Sequence, residues 1–275
     1  MSTVTQSAKR EHRVTTRSLQ RRKGKAEAFS MLTAYDHVFS RIFDEAGIDV
    51  LLVGDSVGNT VQGEDSTLPV TLDEIVYHSR MVSRGARRAL VVGDMPFGSY
   101  QVSPEEGVRN AIRLVKDGGV AAVKLEGGRN VKETIERIVA AEIPVMAHVG
   151  LTPQAIHRMG GYRVQGRGET GREQVIADAL AVEAAGAFAV VLEGVPADLA
   201  KEITEMLAIP TIGIGAGVDC DGQVLVLHDL LGLTDWTPSF AKQYANLGAL
   251  ASQAARAYAD DVAQRKFPGD EHSFS

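Results

Sequence analysis

The segment GGVAAVKLEGG at residues 118–128 decides how this chain is read. Two glycines stop a helix, an apolar run then reads as a strand buried on both faces, and the run ends in an acid followed by glycines, where a βα loop begins. The same order of signals recurs on either side. Ala46-Gly47 precedes a run ending at Asp55, and Ala185-Gly186 precedes one ending at Glu193.

Working outward from that repeat, eight apolar runs alternate with amphipathic stretches: 29–33, 50–54, 89–93, 121–125, 143–148, 187–192, 210–214 and 224–227. Alternation of this kind is the sign of βαβ units, and eight of them predict an α/β fold closed into a (β/α)8 barrel. Thr71 with Glu74, Ser103 with Glu106 and Thr170 with Glu173 fit capping boxes, and Pro104 suits a first helical turn. Val131, Ile135, Ile138 and Val139 fall at helical spacing and predict one stripe against the sheet. Two connections, 55–70 and 149–169, are long and Gly-rich, as functional loops often are. GIGAG at 213–217 lacks the spacing of a P-loop or dinucleotide fingerprint and reads as a tight turn at the rim in preference to a phosphate cradle. The Ala-rich stretch 241–262 predicts a closing helix with Tyr244, Leu247, Ala251, Ala254 and Tyr258 on one face. The expected organisation is a basic, disordered arm over 1–14, one barrel domain with helical extensions over 15–264, and a tail over 265–275.

Composition narrows the function classes. With 44% hydrophobic and 23% charged residues the 275-residue chain reads as an ordinary globular protein, and no apolar run approaches the roughly 18 residues that span a bilayer. Its single cysteine, Cys220, excludes an internal disulfide framework and a Cys-rich zinc site, agrees with a cytoplasmic location, and reads as structural or incidental. Net charge is −6, yet residues 1–25 carry +7, leaving −13 for the rest. No aromatic residue interleaves the basic arm, and no zinc or helix-turn-helix pattern follows, which argues against nucleic acid and for a contact with a partner subunit.

Asp55, Asp94 and Glu126 stand at the ends of the second, third and fourth strands, on the face of a barrel that carries catalysis. Three carboxylates there invite a hard cation such as Mg²⁺; equally, each acid could cap its loop or pair with a base. Lys124 precedes Glu126 by two residues and shares its face of the strand, so it either binds a substrate carboxylate or offsets the acids. His148 ends the fifth strand, as an oxyanion donor or a satisfied core histidine. Glu193 ends the sixth, across the mouth from the acids, and is the general-base candidate, with a salt bridge to a loop arginine as the plainer reading.

Six blocks in order, MLTAYD (31–36), VGDSVGNTVQGEDSTLPVT (53–71), KLEGG (124–128), HVGLTPQ (148–154), GGYRVQGRG (160–168) and IGIGAG (212–217), resemble the ketopantoate hydroxymethyltransferase family over roughly residues 15–235. That resemblance implies a barrel of the phosphoenolpyruvate mutase/isocitrate lyase type. It also implies transfer of a hydroxymethyl group from 5,10-methylenetetrahydrofolate to 3-methyl-2-oxobutanoate, giving 2-dehydropantoate and tetrahydrofolate on the route to pantothenate and coenzyme A. By the motif matches, Asp55, Asp94 and Glu126 take the metal-site positions for one Mg²⁺ per subunit. Asp55, Ser56, Asp94, Lys124 and His148 take positions around the keto acid, and Glu193 takes that of the proton acceptor. Folate-contacting residues are not assigned, and a homodecamer is implied. The alternatives are a superfamily lyase, against which the chain lacks a KKCGH string, a phosphonate-forming mutase, for which no phosphate-binding set is seen, and a non-catalytic scaffold barrel.

Overall fold

The computed structural model describes residues 12–25, 27–234 and 236–274. Eight parallel strands form a closed barrel in chain order: β1 Phe29–Thr33, β2 Val50–Val53, β3 Leu90–Asp94, β4 Ala122–Glu126, β5 Val145–Gly150, β6 Ala189–Glu193, β7 Thr211–Ile214 and β8 Gly222–Leu225. The expected last strand, 224–227, is displaced towards the N-terminus. Gly222 is its first residue and sits opposite Phe29 of β1, where a Cβ would lie 2.6 Å from the Phe29 ring. A glycine that lets the barrel close does not read as the start of a strand.

Side chains alternate across a strand, and this parity organises the interior. Leu90 and Val92 of β3, Ala122 of β4, Met146 of β5 and Ala189 and Val191 of β6 belong to one buried cluster. Continuing the same parity by one step brings Asp94, Lys124, His148 and Glu193 into the next layer, and a second step along β4 adds Glu126. One end of the barrel is therefore apolar and the other is ionisable. Val14 and Leu19 join the apolar cluster, so the segment before β1 plugs the N-terminal end, and Val14 N–H donates to the Arg88 carbonyl. Of the basic arm expected over 1–14, residues 1–11 lie outside the described residues and Val14 is buried core.

Ten helices accompany the strands among the described residues: α1 Thr16–Gln20, α2 His37–Glu45, α3 Leu72–Gly85, α4 Pro104–Arg113, α5 Lys132–Ala140, α6 Ile156–Met159, α7 Gly168–Ala184, α8 Ala197–Met206, α9 Leu227–Leu231 and α10 Leu247–Ala263. The Thr71 and Glu74 box caps α3 reciprocally, and Ser103 caps α4 with Pro104 in its first turn. Thr170 caps nothing. Gly166 and Gly168 take positive φ and turn the chain into α7 behind Arg167, so Thr170 lies inside the helix. Neither long connection is wholly irregular: 55–70 holds a π-helical turn at Gly58–Gln62, and 149–169 holds a 3-10 turn at Pro153–Ala155 followed by α6. GIGAG forms the end of β7 and a turn, with Gly215 and Gly217 at positive φ. A Cβ on Gly213 would lie 3.0 Å from the Sγ of Cys220, which is buried.

Contacts divide the chain into two compact units, 1–225 and 226–275. In the second unit the closing helix starts at Leu247, not 241, because the Asn246 side chain accepts from Ala249 N–H and caps it there. No residue of α10 is buried. No helix among the described residues is long and apolar enough to cross a membrane.

Candidate active site

The polar layer is knit by short contacts. Lys124 Nζ lies 2.9 and 3.0 Å from the two oxygens of Asp94, its partner in the β3–β4 register, and 3.9 Å from Glu126 Oε1. Just beyond the end of β2, Asp55 turns its N–H onto Asp94 Oδ2 at 3.3 Å. His148 pairs with Glu126 in the β4–β5 register and spans two carboxylates, with Nδ1 3.4 Å from Glu126 Oε1 and Nε2 3.3 Å from Glu193 Oε2. These are ion-pair distances whose geometry falls short of directed hydrogen bonds. The half-buried Ser56 places Oγ 2.8 Å from the Tyr35 hydroxyl.

Two uncharged residues complete the wall. Tyr100, in the loop after β3, and Gln154, in the turn after β5, are both buried. Gln154 Nε2 donates to Asp55 Oδ2 at 2.9 Å, and its backbone N–H donates to Glu126 Oε2 at 3.0 Å. Beside Glu126, Tyr100 and Gln154 a cavity of about 590 Å³ opens, with Phe97, Thr152 and Met159 on its other sides.

Burial raises the pKa of Asp55 well above the usual carboxylate range, and the charges of Asp94 and Glu126 add to the shift. Burial raises Asp94 too, with Lys124 offsetting part of it. Glu126 is also pressed upward by burial, but His148, Lys124 and the Gln154 N–H outweigh this and lower it. For His148, burial and the Lys124 charge oppose protonation, yet Glu126 and Glu193 prevail and raise it to about 9. Lys124, held up by Asp94, Glu126 and Asp55 against its own burial, stays cationic. Tyr162, in the loop before α7, has its phenol raised by partial burial and by the charges of Glu193, Asp55 and Glu126.

Every charged residue picked out at a strand end thus stands in one layer. Lys124 is an ion-pair partner of Asp94, and Glu193 faces His148, with no arginine paired to it among the described residues. Among the described residues no three His, Cys, Asp or Glu side chains are disposed to hold one ion directly. The layer nonetheless suits a divalent cation. Asp55 and Asp94, with Glu126 beside them, are carboxylates whose burial and mutual crowding raise the first two, and a cation bound among them would relieve that crowding. Magnesium commonly takes only one or two protein carboxylates and completes its shell with water and substrate oxygens. Gln154 and Tyr100 escape a search for charge at strand ends. The signal for Gln154 is that it closes the block HVGLTPQ; nothing in the sequence singles out Tyr100.

Residues 13–270 match the family model described as ketopantoate hydroxymethyltransferase. The chain is similar to the 3-methyl-2-oxobutanoate hydroxymethyltransferase of Syntrophotalea carbinolica, 58% identical over 96% of this chain and 100% of that protein. It is likewise similar to the enzyme of the same name from Geobacter metallireducens, 56% identical over 94% and 97% of the two chains. Among solved structures, a phosphonopyruvate hydrolase in complex with oxalate and Mg²⁺ shares the fold at TM-score 0.60 and 12% identity, covering 94% of this chain and 92% of that one. So does 2,3-dimethylmalate lyase, a PEP mutase/isocitrate lyase superfamily member, at TM-score 0.57 and 19% identity, covering 94% and 91%. With matches along nearly its whole length, this chain belongs to the ketopantoate hydroxymethyltransferase family.

Proposed function

We propose that the chain transfers a hydroxymethyl group from 5,10-methylenetetrahydrofolate to 3-methyl-2-oxobutanoate, with uptake of one water, giving 2-dehydropantoate and tetrahydrofolate. It acts in the cytoplasm as a homodecamer with one Mg²⁺ per subunit. The observation that carries the reading is the gathering of Asp55, Asp94, Lys124, Glu126, His148 and Glu193 into one layer, in a chain 58% identical along its length to an enzyme of that name.

Asp55 and Asp94 would hold the ion, Asp94 giving up part of its contact with Lys124, and Glu126, the third carboxylate of the metal site, meets the Gln154 N–H and His148 and adds its charge there. A Mg²⁺ held there would supply Lewis-acid polarisation of the keto group of a 2-oxo acid, which would acidify the hydrogen at C3. Glu193 removes that proton. His148, cationic between Glu126 and Glu193, fixes the base and offsets negative charge as it develops on the keto acid. Lys124 and Ser56 present donors to the substrate's carboxylate end, with Ser56 oriented by Tyr35. The connections 55–70 and 149–169 keep water from the carbanionic stage.

The test separates the half-reactions. With Mg²⁺ and no folate, the protein should exchange the C3 proton of 3-methyl-2-oxobutanoate with D₂O; adding 5,10-methylenetetrahydrofolate should give 2-dehydropantoate. Full turnover after exhaustive chelation would sink the cation, and exchange without product would sink the folate donor. A monomer in sedimentation at micromolar concentration would remove the decamer.

A further inference from the structure

Gln154 has every hydrogen-bonding position of its side-chain amide filled, and two independent neighbours fix which way the amide points. The Met95 carbonyl can only accept, and it lies 3.0 Å from one side-chain atom of Gln154, which must therefore be the NH₂. On the other side Gln101 is itself fixed, because its Oε1 accepts from Gly98 N–H at 2.8 Å. Its Nε2 therefore faces Gln154 Oε1, at 3.2 Å. The Tyr100 hydroxyl accepts from Glu126 N–H at 3.1 Å and has two acceptors for its one proton, this same oxygen at 2.7 Å and the Glu126 carbonyl at 3.0 Å, of which Gln154 Oε1 is the nearer. With Nε2 thus committed, its second N–H can serve only Asp55 Oδ2, at 2.9 Å, while the Gln154 backbone N–H holds Glu126 Oε2 at 3.0 Å.

We infer that Gln154, locked by Tyr100 and Gln101, is a positioning residue: it aims the Asp55 carboxylate at the cation and pins Glu126, so that the keto acid's affinity depends on a residue that does not touch it. This rests on the cation reading proposed above. Asp55, a buried carboxylate crowded by Asp94 and Glu126, has no other side-chain hydrogen-bond donor on Oδ2 among the described residues, so losing the amide frees it to turn. The Leu151-Thr-Pro153 turn that follows β5 carries the chain from His148, beside one oxygen of Glu126, round to Gln154 on the other, and Pro153 opens the 3-10 turn that presents the Gln154 N–H to it.

The experiment measures Mn²⁺ binding to the full-length protein by electron paramagnetic resonance, alongside KM and kcat for the keto acid. Gln154→Met keeps the length and removes the amide. Its Mn²⁺ dissociation constant should rise on the order of 10- to 100-fold, and KM for the keto acid should rise with it more than kcat falls. A merely structural role would lower the melting temperature and leave both unchanged in the folded fraction. Tyr100→Phe, which unlocks the amide and keeps it in place, should shift Mn²⁺ binding in the same direction by less, and it carries the test should Gln154→Met not fold. Unchanged Mn²⁺ affinity in a folded variant overturns the assignment of Gln154. Failure of the wild-type protein to bind Mn²⁺ at all overturns the cation reading instead.

Discussion

The two ends of the barrel are built from the same strands by opposite rules. Strand β4 runs from Ala122 in the apolar cluster to Lys124 and Glu126 in the polar layer, all on one parity, and β3 runs likewise from Leu90 and Val92 to Asp94. At the N-terminal end the interior is filled by Met146, Val191 and Ile212, with Val14 and Leu19 as a plug. At the other end a Lys and a His are surrounded by four carboxylates, of which Asp55 and Asp94 are held away from their ordinary ionisation. The lower end has little to do but pack. The upper end crowds ionisable groups under burial, which costs stability and is tolerated where chemistry needs it. Substitutions at the two ends should therefore trade places in what they harm.

The largest expected effect is at the upper end. Glu193→Gln keeps the shape and removes the base, so C3 proton exchange should fall by about 10²- to 10⁴-fold while the melting temperature stays near that of the wild type. If the variant exchanges as fast as the wild type but forms no product, Glu193 serves the one-carbon donor and not the keto acid. At the lower end Met146→Ala should do the reverse. A buried Met→Ala change costs about 2–5 kcal/mol, at roughly 2–4 °C of melting temperature per kcal/mol in a protein of this size, with kcat per folded molecule retained. A kcat that collapses in folded Met146→Ala would show that the ends are mechanically coupled.

Proton linkage gives the smaller contrast, best read as denaturation midpoints of metal-free protein across pH. His148 is raised from 6.5 unfolded to about 9 folded, so its contribution is complete below 6.5 and is lost as pH rises through 9. Asp49, at the lower end, is buried, which would raise it, yet two arginines and the Ser30 N–H hold it below its ordinary 3.8. Its contribution is present above that value and is lost as pH falls through the lower one. His148→Gln should flatten the alkaline limb alone, and Asp49→Asn the acid limb alone.

The fold was legible because apolar runs buried on both faces are hard to mistake, and the strand-end acids were legible because parity carries them to one mouth. What escaped has physical reasons. Gly222 starts β8 because the Phe29 ring leaves no room for a side chain, and such a fit belongs to the partner strand and not to local sequence. Thr170 looked like a cap because cap chemistry is local, while the start of α7 is set by Gly166 and Gly168 upstream. Lys124 and His148 each left two readings open at the level of sequence. Lateral register decides their neighbours, placing Asp94 beside Lys124 and Glu126 beside His148. Tyr100 was invisible, since an uncharged loop residue acquires meaning only from what it touches. The apolar face expected along the closing helix is real in sequence, and in the structure Leu250, Tyr258 and Val262 remain exposed on α10.

The seam where Phe29 meets Gly222 has a consequence for synthesis. β1 leaves the ribosome well before the strand that covers its free edge, which is made some 190 residues later, and Thr204 and Asp221, to which Lys23 is tied, follow Lys23 by 181 and 198 residues. At about 5–20 residues per second, the β1 edge waits on the order of 10–40 s with its N–H and C=O groups unpaired on one side. An open parallel edge of that lifetime is a template for pairing with another nascent chain. Crowded translation of this protein on polysomes should therefore depend on chaperones that shield β1, and a circular permutant that begins between β7 and β8 should shorten the wait.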